Sequence, residues 1–143
     1  DFNDKYSANR HIVVAVDEAH VFINPKHPIA LDFMAQMAKR IRKYGGMQIV
    51  ITQNIKDFVG SPEIERQSTA VINACQYSFI FALSPNDMDD LCVLYDKAGR
   101  INTTEQEQIV NNERGHAFII TGPASRNNIQ IVASKKTQEL FGE

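Results

Sequence analysis

The stretch that decides the fold of this chain is Ile12-Val13-Val14-Ala15-Val16-Asp17-Glu18-Ala19-His20, an apolar run that ends in two adjacent carboxylates. A short run of small and β-branched residues predicts a strand that is buried on both faces of a parallel sheet. Because burying a carboxylate is costly, we expect Asp17 and Glu18 at the carboxyl end of this strand, outside the core. That edge of an open α/β sheet is where ligands bind.

The rest of the chain alternates between strand and helix patterns. Two further buried strands are predicted at residues 47–52 and 77–83, and an antiparallel hairpin at 115–121 and 128–133. The predicted helices cover residues 29–44, 61–75, 84–97, about 103–111, and 135–141. This order predicts an α/β fold with a mainly parallel sheet flanked by helices and a C-terminal antiparallel hairpin.

Composition narrows the class of protein. The chain has 143 residues, a length that fits one domain over residues 1–143. A formal net charge of −2 gives no overall basic field for nucleic acid. No apolar run approaches the ~18 residues of a membrane span. Cys75 and Cys92 are not spaced like metal ligands and are expected to be reduced thiols.

The acidic pair has a chemical interpretation as well as a structural one. A strand that delivers Asp-Glu to the ligand-binding edge matches the Walker B arrangement of P-loop ATPases, in which the Asp holds Mg²⁺ and the Glu polarises the attacking water. Gln53 follows the next predicted strand, so Asp17, Glu18 and Gln53 should share one edge. A neutral amide there can orient water or sense a γ-phosphate, although a loop-capping role is the simpler alternative.

A basic cluster, Lys39-Arg40-Ile41-Arg42-Lys43, ends the helix between these two strands. Cations are favoured at the carboxyl end of a helix by its dipole, which would explain the cluster without any catalytic role. The functional alternative is an arginine that reaches the nucleotide of a neighbouring subunit, a role that suits the permanent charge and bidentate geometry of Arg.

The phosphate-binding signature of P-loop enzymes does not occur in the sequence. No Gly-x-x-x-x-Gly-Lys-Ser/Thr is present, so no backbone loop of that kind can cradle the β- and γ-phosphates. We therefore expect this chain by itself to be inactive as an ATPase.

Four motifs in order carry a family resemblance. They are Val-Asp-Glu-Ala-His at 16–20, Lys-Arg-Ile-Arg-Lys-Tyr-Gly-Gly at 39–46, Ile-Thr-Gln-Asn-Ile-Lys-Asp-Phe at 51–58, and the segment 70–87 that ends in Leu-Ser-Pro-Asn-Asp. In this order the sequence resembles the conjugation ATPases of type IV secretion systems, most closely the VirB/Tra-type energising ATPases of Gram-positive conjugative elements.

The resemblance implies a RecA-like motor that uses ATP and Mg²⁺. It implies a hexamer or other homo-oligomer, peripheral to the membrane at its cytoplasmic face, that works with other secretion components. The expected role is to power pilus assembly or DNA or protein translocation, with DNA contacted indirectly if at all.

The resemblance also assigns roles to individual residues. Asp17 matches the metal-associated acid of Walker B, Glu18 the catalytic glutamate and Gln53 the sensor-like glutamine. Arg42 matches the arginine that acts in trans in related motors, with Arg40 as the second choice. Arg126, on the turn of the late hairpin, is expected to approach the nucleotide.

Family members carry the phosphate loop upstream of the acidic pair, so the resemblance implies that this chain is a partial domain, a carboxyl-terminal fragment that begins just before Walker B. The phosphate-loop strand of such sheets lies between the strands that correspond here to 48–52 and 77–83. We expect the resulting gap to be closed by direct pairing, by self-association or by sliding, since an open gap would expose apolar surface and unpaired edges.

Three alternatives remain open at this point. One is a degenerate RecA-like module for oligomerisation or binding, without catalysis. Another is a fragment of a DEAH-type helicase, suggested by residues 17–20, although those enzymes carry Ser-Ala-Thr where this chain has Ile-Thr-Gln. A metalloenzyme has less support, because His11, His20, His27 and His116 lack ligand spacing and His20 is explained more simply as a packing residue.

Overall fold

The computed structural model describes residues 11–23 and 29–141, and His27 lies outside these ranges. This part of the chain is a mixed α/β fold. Its strands are Ile12–Val16 (β1), Gly46–Val50 (β2), Ser78–Ile80 (β3), His116–Gly122 (β4) and Ser125–Gln130 (β5). Its α-helices are Ile29–Arg40 (α1), Pro62–Ala74 (α2), Pro85–Tyr95 (α3), Thr103–Val110 (α4) and Lys135–Phe141 (α5).

The strands form two separate sheets. β1 and β2 are parallel, in the register Ile12↔Gly46 to Val16↔Val50. β3, β4 and β5 form an antiparallel sheet in that order. The α/β fold and the parallel pairing of the first two strands are confirmed, but the prediction of one mainly parallel sheet is wrong for the residues that the structure describes. Direct pairing of 48–52 with 77–83 is also absent from the described residues, because β2 pairs with β1 and β3 pairs with β4.

The parallel pair is buried on one face only, contrary to the prediction for 12–16. Val16 and Val50 pack against the core on the inner face. On the outer face, the neighbouring side chains of Val13 and Met47 are 55% and 52% exposed. A parallel strand is buried on both faces only where helices cover both, and the outer face lacks such cover in the described part of the chain.

The core lies on the inner side and is formed by apolar side chains of the helices and of β4. Its most deeply buried members include Leu31 of α1, Ile64 of α2, Ile109 of α4 and Phe118 of β4.

The boundaries of the helices follow from their caps. Ser61 and Ser84 accept backbone N–H bonds at the starts of α2 and α3, each followed by a proline at the first helical position. α4 begins with a capping box between Asn102 and Glu105, whereas the sequence predicts Thr103 or Thr104 as the cap. None of the described helices is long and apolar enough to span a bilayer.

Several segments differ in length from their predictions, and β3 covers only Ser78–Ile80 of the predicted strand 77–83. α1 ends at Arg40 and continues as a 3-10 helix, Ile41–Tyr44, which Gly45 terminates with a φ of 66°. The predicted hairpin is present, but its turn is shorter than the sequence indicated, because β5 begins at Ser125 rather than 128. The polar residues at the start of β5 look like a loop in sequence and pair with β4 in the fold.

Candidate functional site

The site lies where the two parallel strands end. Beyond the strands, Ile51 N donates to Val16 O at 2.9 Å and Ala19 N donates to Ile51 O at 2.8 Å. These two bonds hold the chain after β1 against the chain after β2. Asp17 and Glu18 form the turn between them, so both carboxylates are presented at the carboxyl edge of the pair.

Glu18 has an unusual backbone conformation. With φ 49° and ψ 48°, it is the non-glycine residue with positive φ in the described chain. The left-handed region costs an L-residue roughly 1–2 kcal/mol. The Asp17 side chain offsets part of this cost, since its Oδ1 accepts the Glu18 N–H at 2.9 Å. Strain of this kind concentrates at functional sites.

Glu18 and Gln53 are in direct contact. Gln53 Nε2 donates a hydrogen bond to Glu18 Oε1, which joins the end of β1 to the loop after β2. That loop is held by its own side chains, because Asn54 Nδ2 donates to Asp57 Oδ2 at 2.8 Å. The structure thus brings together two of the residues that the sequence placed on one edge; their catalytic roles stay predictions.

The second oxygen of Glu18 faces His20. The distance from His20 Nδ1 to Glu18 Oε2 is 3.3 Å, and Nδ1 is also 3.3 Å from the Thr52 hydroxyl. Oε2 is buried and has no hydrogen bond of regular geometry. Glu18, His20, Thr52 and Gln53 therefore form one connected group, which we call the edge cluster.

Asp17 is the exposed acid of this edge, with one oxygen committed to the Glu18 N–H. Mg²⁺ is usually held by one or two carboxylates together with substrate phosphates and water, so a single exposed Asp fits a metal that arrives with a nucleotide. Residues 11–23 and 29–141 contain no group of three or more His, Cys, Asp or Glu side chains that could hold a metal without such help.

Arg40 and Arg42 lie at the other end of the parallel pair. They are exposed, at the end of α1 and in the 3-10 helix that leads into β2, whereas Gln53 follows β2. The five residues of β2 span about 16 Å at ~3.3 Å per residue. Neither arginine therefore belongs to the edge cluster of its own chain.

Arg126 is held by hydrogen bonds and an ion pair within its own chain. Its guanidinium donates to Gly99 O at 2.7 Å, Arg100 O at 2.8 Å and Glu105 Oε2 at 3.0 Å. The Arg126 and Glu105 side chains are only 15% and 13% exposed. Arg126 thus ties β5 to the start of α4 and to the loop before it. A nucleotide contact by Arg126 stays a prediction that these bonds do not support.

Arg126 also lines a cavity of about 490 Å³ between the ends of α2 and α3 and the β4–β5 hairpin. Burial raises the pKa of the Tyr95 hydroxyl in its wall, while a hydrogen bond with Ser78 acts in the opposite direction. Burial also raises the pKa of the Cys75 thiol in the same wall. Neither group is thereby activated as a nucleophile at neutral pH.

His20 and Thr52 are members of the edge cluster that the sequence did not indicate. Both lie in motifs that the sequence analysis names, Ile51-Thr52-Gln53 and Asp17-Glu18-Ala19-His20, but neither residue type matches a catalytic role of the family. The contact between His20 and Thr52 spans 32 residues of sequence and depends on the parallel register of β1 and β2.

Comparison with known proteins identifies a family for the chain. The sequence model of the TraG P-loop domain family matches residues 4–100. The structure of VirB4 from Thermoanaerobacter pseudethanolicus superposes with a TM-score of 0.82 at 30% sequence identity, over 94% of this chain. No curated protein matches the chain in sequence.

The superposition covers almost all of this chain but only part of the VirB4 chain. The present chain corresponds to 35% of the length of that VirB4 chain. The region beyond residue 100, which includes the β4–β5 hairpin and Arg126, lies outside the match to the family and within a fold similar to that of VirB4.

Proposed function

The chain belongs to the TraG P-loop domain family, and from this premise we propose that it forms the part of a conjugative, type IV secretion ATPase that contributes the Walker B edge. The proposed activity of the longer protein is hydrolysis of ATP to drive pilus assembly or the translocation of DNA or protein. The proposed unit is a partial RecA-like domain over residues 1–143, inactive without a phosphate-binding loop.

The observation that supports this function best is the contact between Glu18 and Gln53 at the carboxyl edge of the parallel pair. A chance match to Asp-Glu would not require a glutamine from the next strand to meet that glutamate. In P-loop enzymes, catalysis rests on positioning the attacking water and on stabilising charge on the transferred phosphoryl group. A carboxylate that is hydrogen-bonded to a neutral amide fits the first of these tasks.

In the proposed mechanism, each residue of the edge has one task. Asp17 would hold the water shell of Mg²⁺ that arrives with ATP, and the metal would there offset charge on the phosphates. Glu18 orients the water that attacks the γ-phosphorus. Gln53 contacts the same carboxylate and can therefore respond to loss of the γ-phosphate.

The oligomeric part of the proposal rests on the arginines. Arg42, with Arg40 as second choice, lies at the opposite end of β2 from Gln53, so it cannot serve its own edge cluster. A neighbouring subunit in a hexamer or other homo-oligomer can present it to the nucleotide. We place this assembly in the cytoplasm at the inner face of the membrane, with other type IV secretion components as partners.

The test is Glu18→Gln in the longer protein that carries this chain. We expect the variant to bind ATP with nearly unchanged affinity and to lose hydrolysis by about 100-fold or more, because the amide keeps the size of the side chain and removes the water-orienting carboxylate. Nucleotide affinity and steady-state turnover are the two measurements.

Glu107→Gln is the matched control, since Glu107 is exposed on α4. It should leave both quantities unchanged. If Glu18→Gln retained normal turnover, Glu18 would have no catalytic role. If the wild-type protein neither bound nor hydrolysed ATP, the chain would instead be a non-catalytic module.

A further inference from the structure

The edge cluster contains a histidine whose position has no explanation in the proposed chemistry. Within the described residues His20 is not part of a group of metal ligands, and its side chain is only 24% exposed. Its Nδ1 lies midway between two oxygens, at 3.3 Å from Glu18 Oε2 and at 3.3 Å from Thr52 Oγ1. One of these oxygens belongs to the proposed catalytic carboxylate.

The contact with Glu18 decides which form of His20 fits the site. A carboxylate oxygen only accepts, so the contact of Nδ1 with Glu18 Oε2 is satisfied only with Nδ1 as N–H. Thr52 fits the same form, because its Oγ1 accepts from Asn54 N at 3.2 Å and has Asn54 O at 3.3 Å as an acceptor for its own hydrogen. With the hydrogen directed there, the hydroxyl offers Nδ1–H a lone pair.

The buried oxygen Glu18 Oε2 needs a hydrogen-bond donor, and the Nδ1–H of His20 can supply it. Oε1 is held by the Gln53 amide, whereas Oε2 is buried without a regular hydrogen bond. A buried carboxylate oxygen without a donor is unfavourable, and the side chain would turn towards water to relieve it. His20 Nδ1 is the donor that the structure places beside it.

We propose that His20 is a positioning residue: its Nδ1–H, anchored by the Thr52 turn, holds the Glu18 carboxylate in the orientation that the reaction uses. Gln53 then holds one oxygen of Glu18 and His20 the other. The inference rests on the proposed ATPase function, because it assigns His20 a purpose through Glu18. His20 itself touches neither the nucleotide nor the water.

The experiment compares substitutions at His20 in the longer protein. His20→Phe keeps a ring and removes the donor, so kcat should fall about 10-fold to 100-fold, the range typical of partners that orient a functional side chain. KM for ATP should change little, because His20 does not contact the nucleotide. His20→Asn places an amide N–H near the Nδ1 position and should restore most of the lost kcat.

His11→Phe is the matched control. His11 Nδ1 is 3.1 Å from Gly45 O, at the amino end of the same strand pair, so it represents the same chemical change away from the edge cluster. It should leave kcat unchanged. Equal kcat values for His20→Phe and His11→Phe would overturn the proposal, as would a loss in His20→Asn as large as that in His20→Phe.

The double variant Glu18→Gln/His20→Phe separates positioning from a general structural effect. If His20 acts through Glu18, adding His20→Phe to Glu18→Gln lowers kcat no further. A further loss as large as in the wild-type background would show an independent role and would reject the inference.

A last measurement keeps the inference separate from the proposed function. If Glu18→Gln retained turnover, the ATPase mechanism would fail while the contact of His20 could still be examined. The ¹⁵N signals of the His20 ring in this chain should show the proton on Nδ1. A neutral ring with the proton on Nε2 would contradict the contact, whatever the activity.

Discussion

At the scale of single residues, the conformation of Glu18 at the carboxyl edge depends on a few specific contacts. Its backbone is in the left-handed region, its N–H is bound by Asp17 and its carboxylate lies between Gln53 and His20. The sequence indicated Asp17, Glu18 and Gln53 because an acid pair and a polar residue follow successive apolar runs. It did not indicate His20, because a single histidine has many structural uses.

Arg126 gives the clearest prediction about stability at this scale. Arg126→Ala should lower the free energy of unfolding by about 2–3 kcal/mol, since it leaves Glu105 and two carbonyl groups without their charged donor. Chemical denaturation of this chain is the measurement.

Arg66→Ala is the control for that prediction, because the Arg66 side chain is 73% exposed and pairs with Glu63 across one helical turn. Its effect should stay within about 0.5 kcal/mol, as for other exposed ion pairs. An equally small effect of Arg126→Ala would mean that the hydrogen bonds of Arg126 contribute nothing to folding stability. The guanidinium would then be available for a ligand.

At the scale of elements, the unit β1–α1–β2 separates the acidic edge from the basic cluster. α1 returns the chain to the start of β2, so the arginines at its end lie near the amino ends of the strands. The acidic pair and Gln53 lie at the carboxyl ends. This is a consequence of a parallel crossover, and it makes a cis role for Arg42 geometrically unfavourable.

The same separation predicts complementation between subunits. Arg42→Ala should lower turnover in assemblies of the longer protein and have no effect on turnover of a monomer. A mixture of Arg42→Ala and Glu18→Gln subunits should hydrolyse ATP faster than either variant alone, because some interfaces then combine an intact Glu18 with an intact Arg42 from the neighbour. Turnover of mixed and unmixed assemblies at equal protein concentration is the measurement.

Co-assembly of the two variants has to be verified by mass, so that a lack of recovery is meaningful. Mixed assemblies without recovered activity would rule out Arg42 as a residue acting in trans, and Arg40→Ala in the same design would test the second choice.

At the scale of the whole molecule, the notable feature is apolar surface on the strands. Exposed apolar side chains lie on the strands β1, β2 and β3 and directly after β2 and β3: Val13, Met47, Ile49, Phe79, and then Ile51 and Phe81. Exposed apolar surface beside an unpaired strand edge favours association. In this chain by itself, the surface is available to a second copy.

We therefore expect this chain alone to associate as its concentration rises, and Met47→Lys to weaken that association. Met47 is 52% exposed on β2, which has no strand partner on the side away from β1 in the described residues. Leu140→Lys is the control, because Leu140 is 73% exposed on α5, away from either sheet. Sedimentation over a concentration series measures both. A chain that stays monomeric, or equal effects of the two substitutions, would contradict the prediction.

The sequence by itself determined the local features: the order of strands and helices, the capped helix starts, and the placement of Asp17, Glu18 and Gln53 after apolar runs. These follow from patterns within a few residues, where hydrophobic spacing, proline and capping side chains act directly. The family resemblance also came from short motifs in order.

The tertiary structure alone decided how the strands pair, how far β1 is buried and what Glu18 touches. The β1–β2 and β3–β4 pairings, the contact of His20 with Thr52 and the bonds of Arg126 join residues that are 21 to 42 positions apart. Such contacts depend on register and on which faces other elements cover, and a pattern within a short window carries neither. The prediction of a parallel sheet buried on both faces was wrong for that reason. The positioning role proposed for His20 likewise depends on the parallel register, which brings the ends of β1 and β2 side by side.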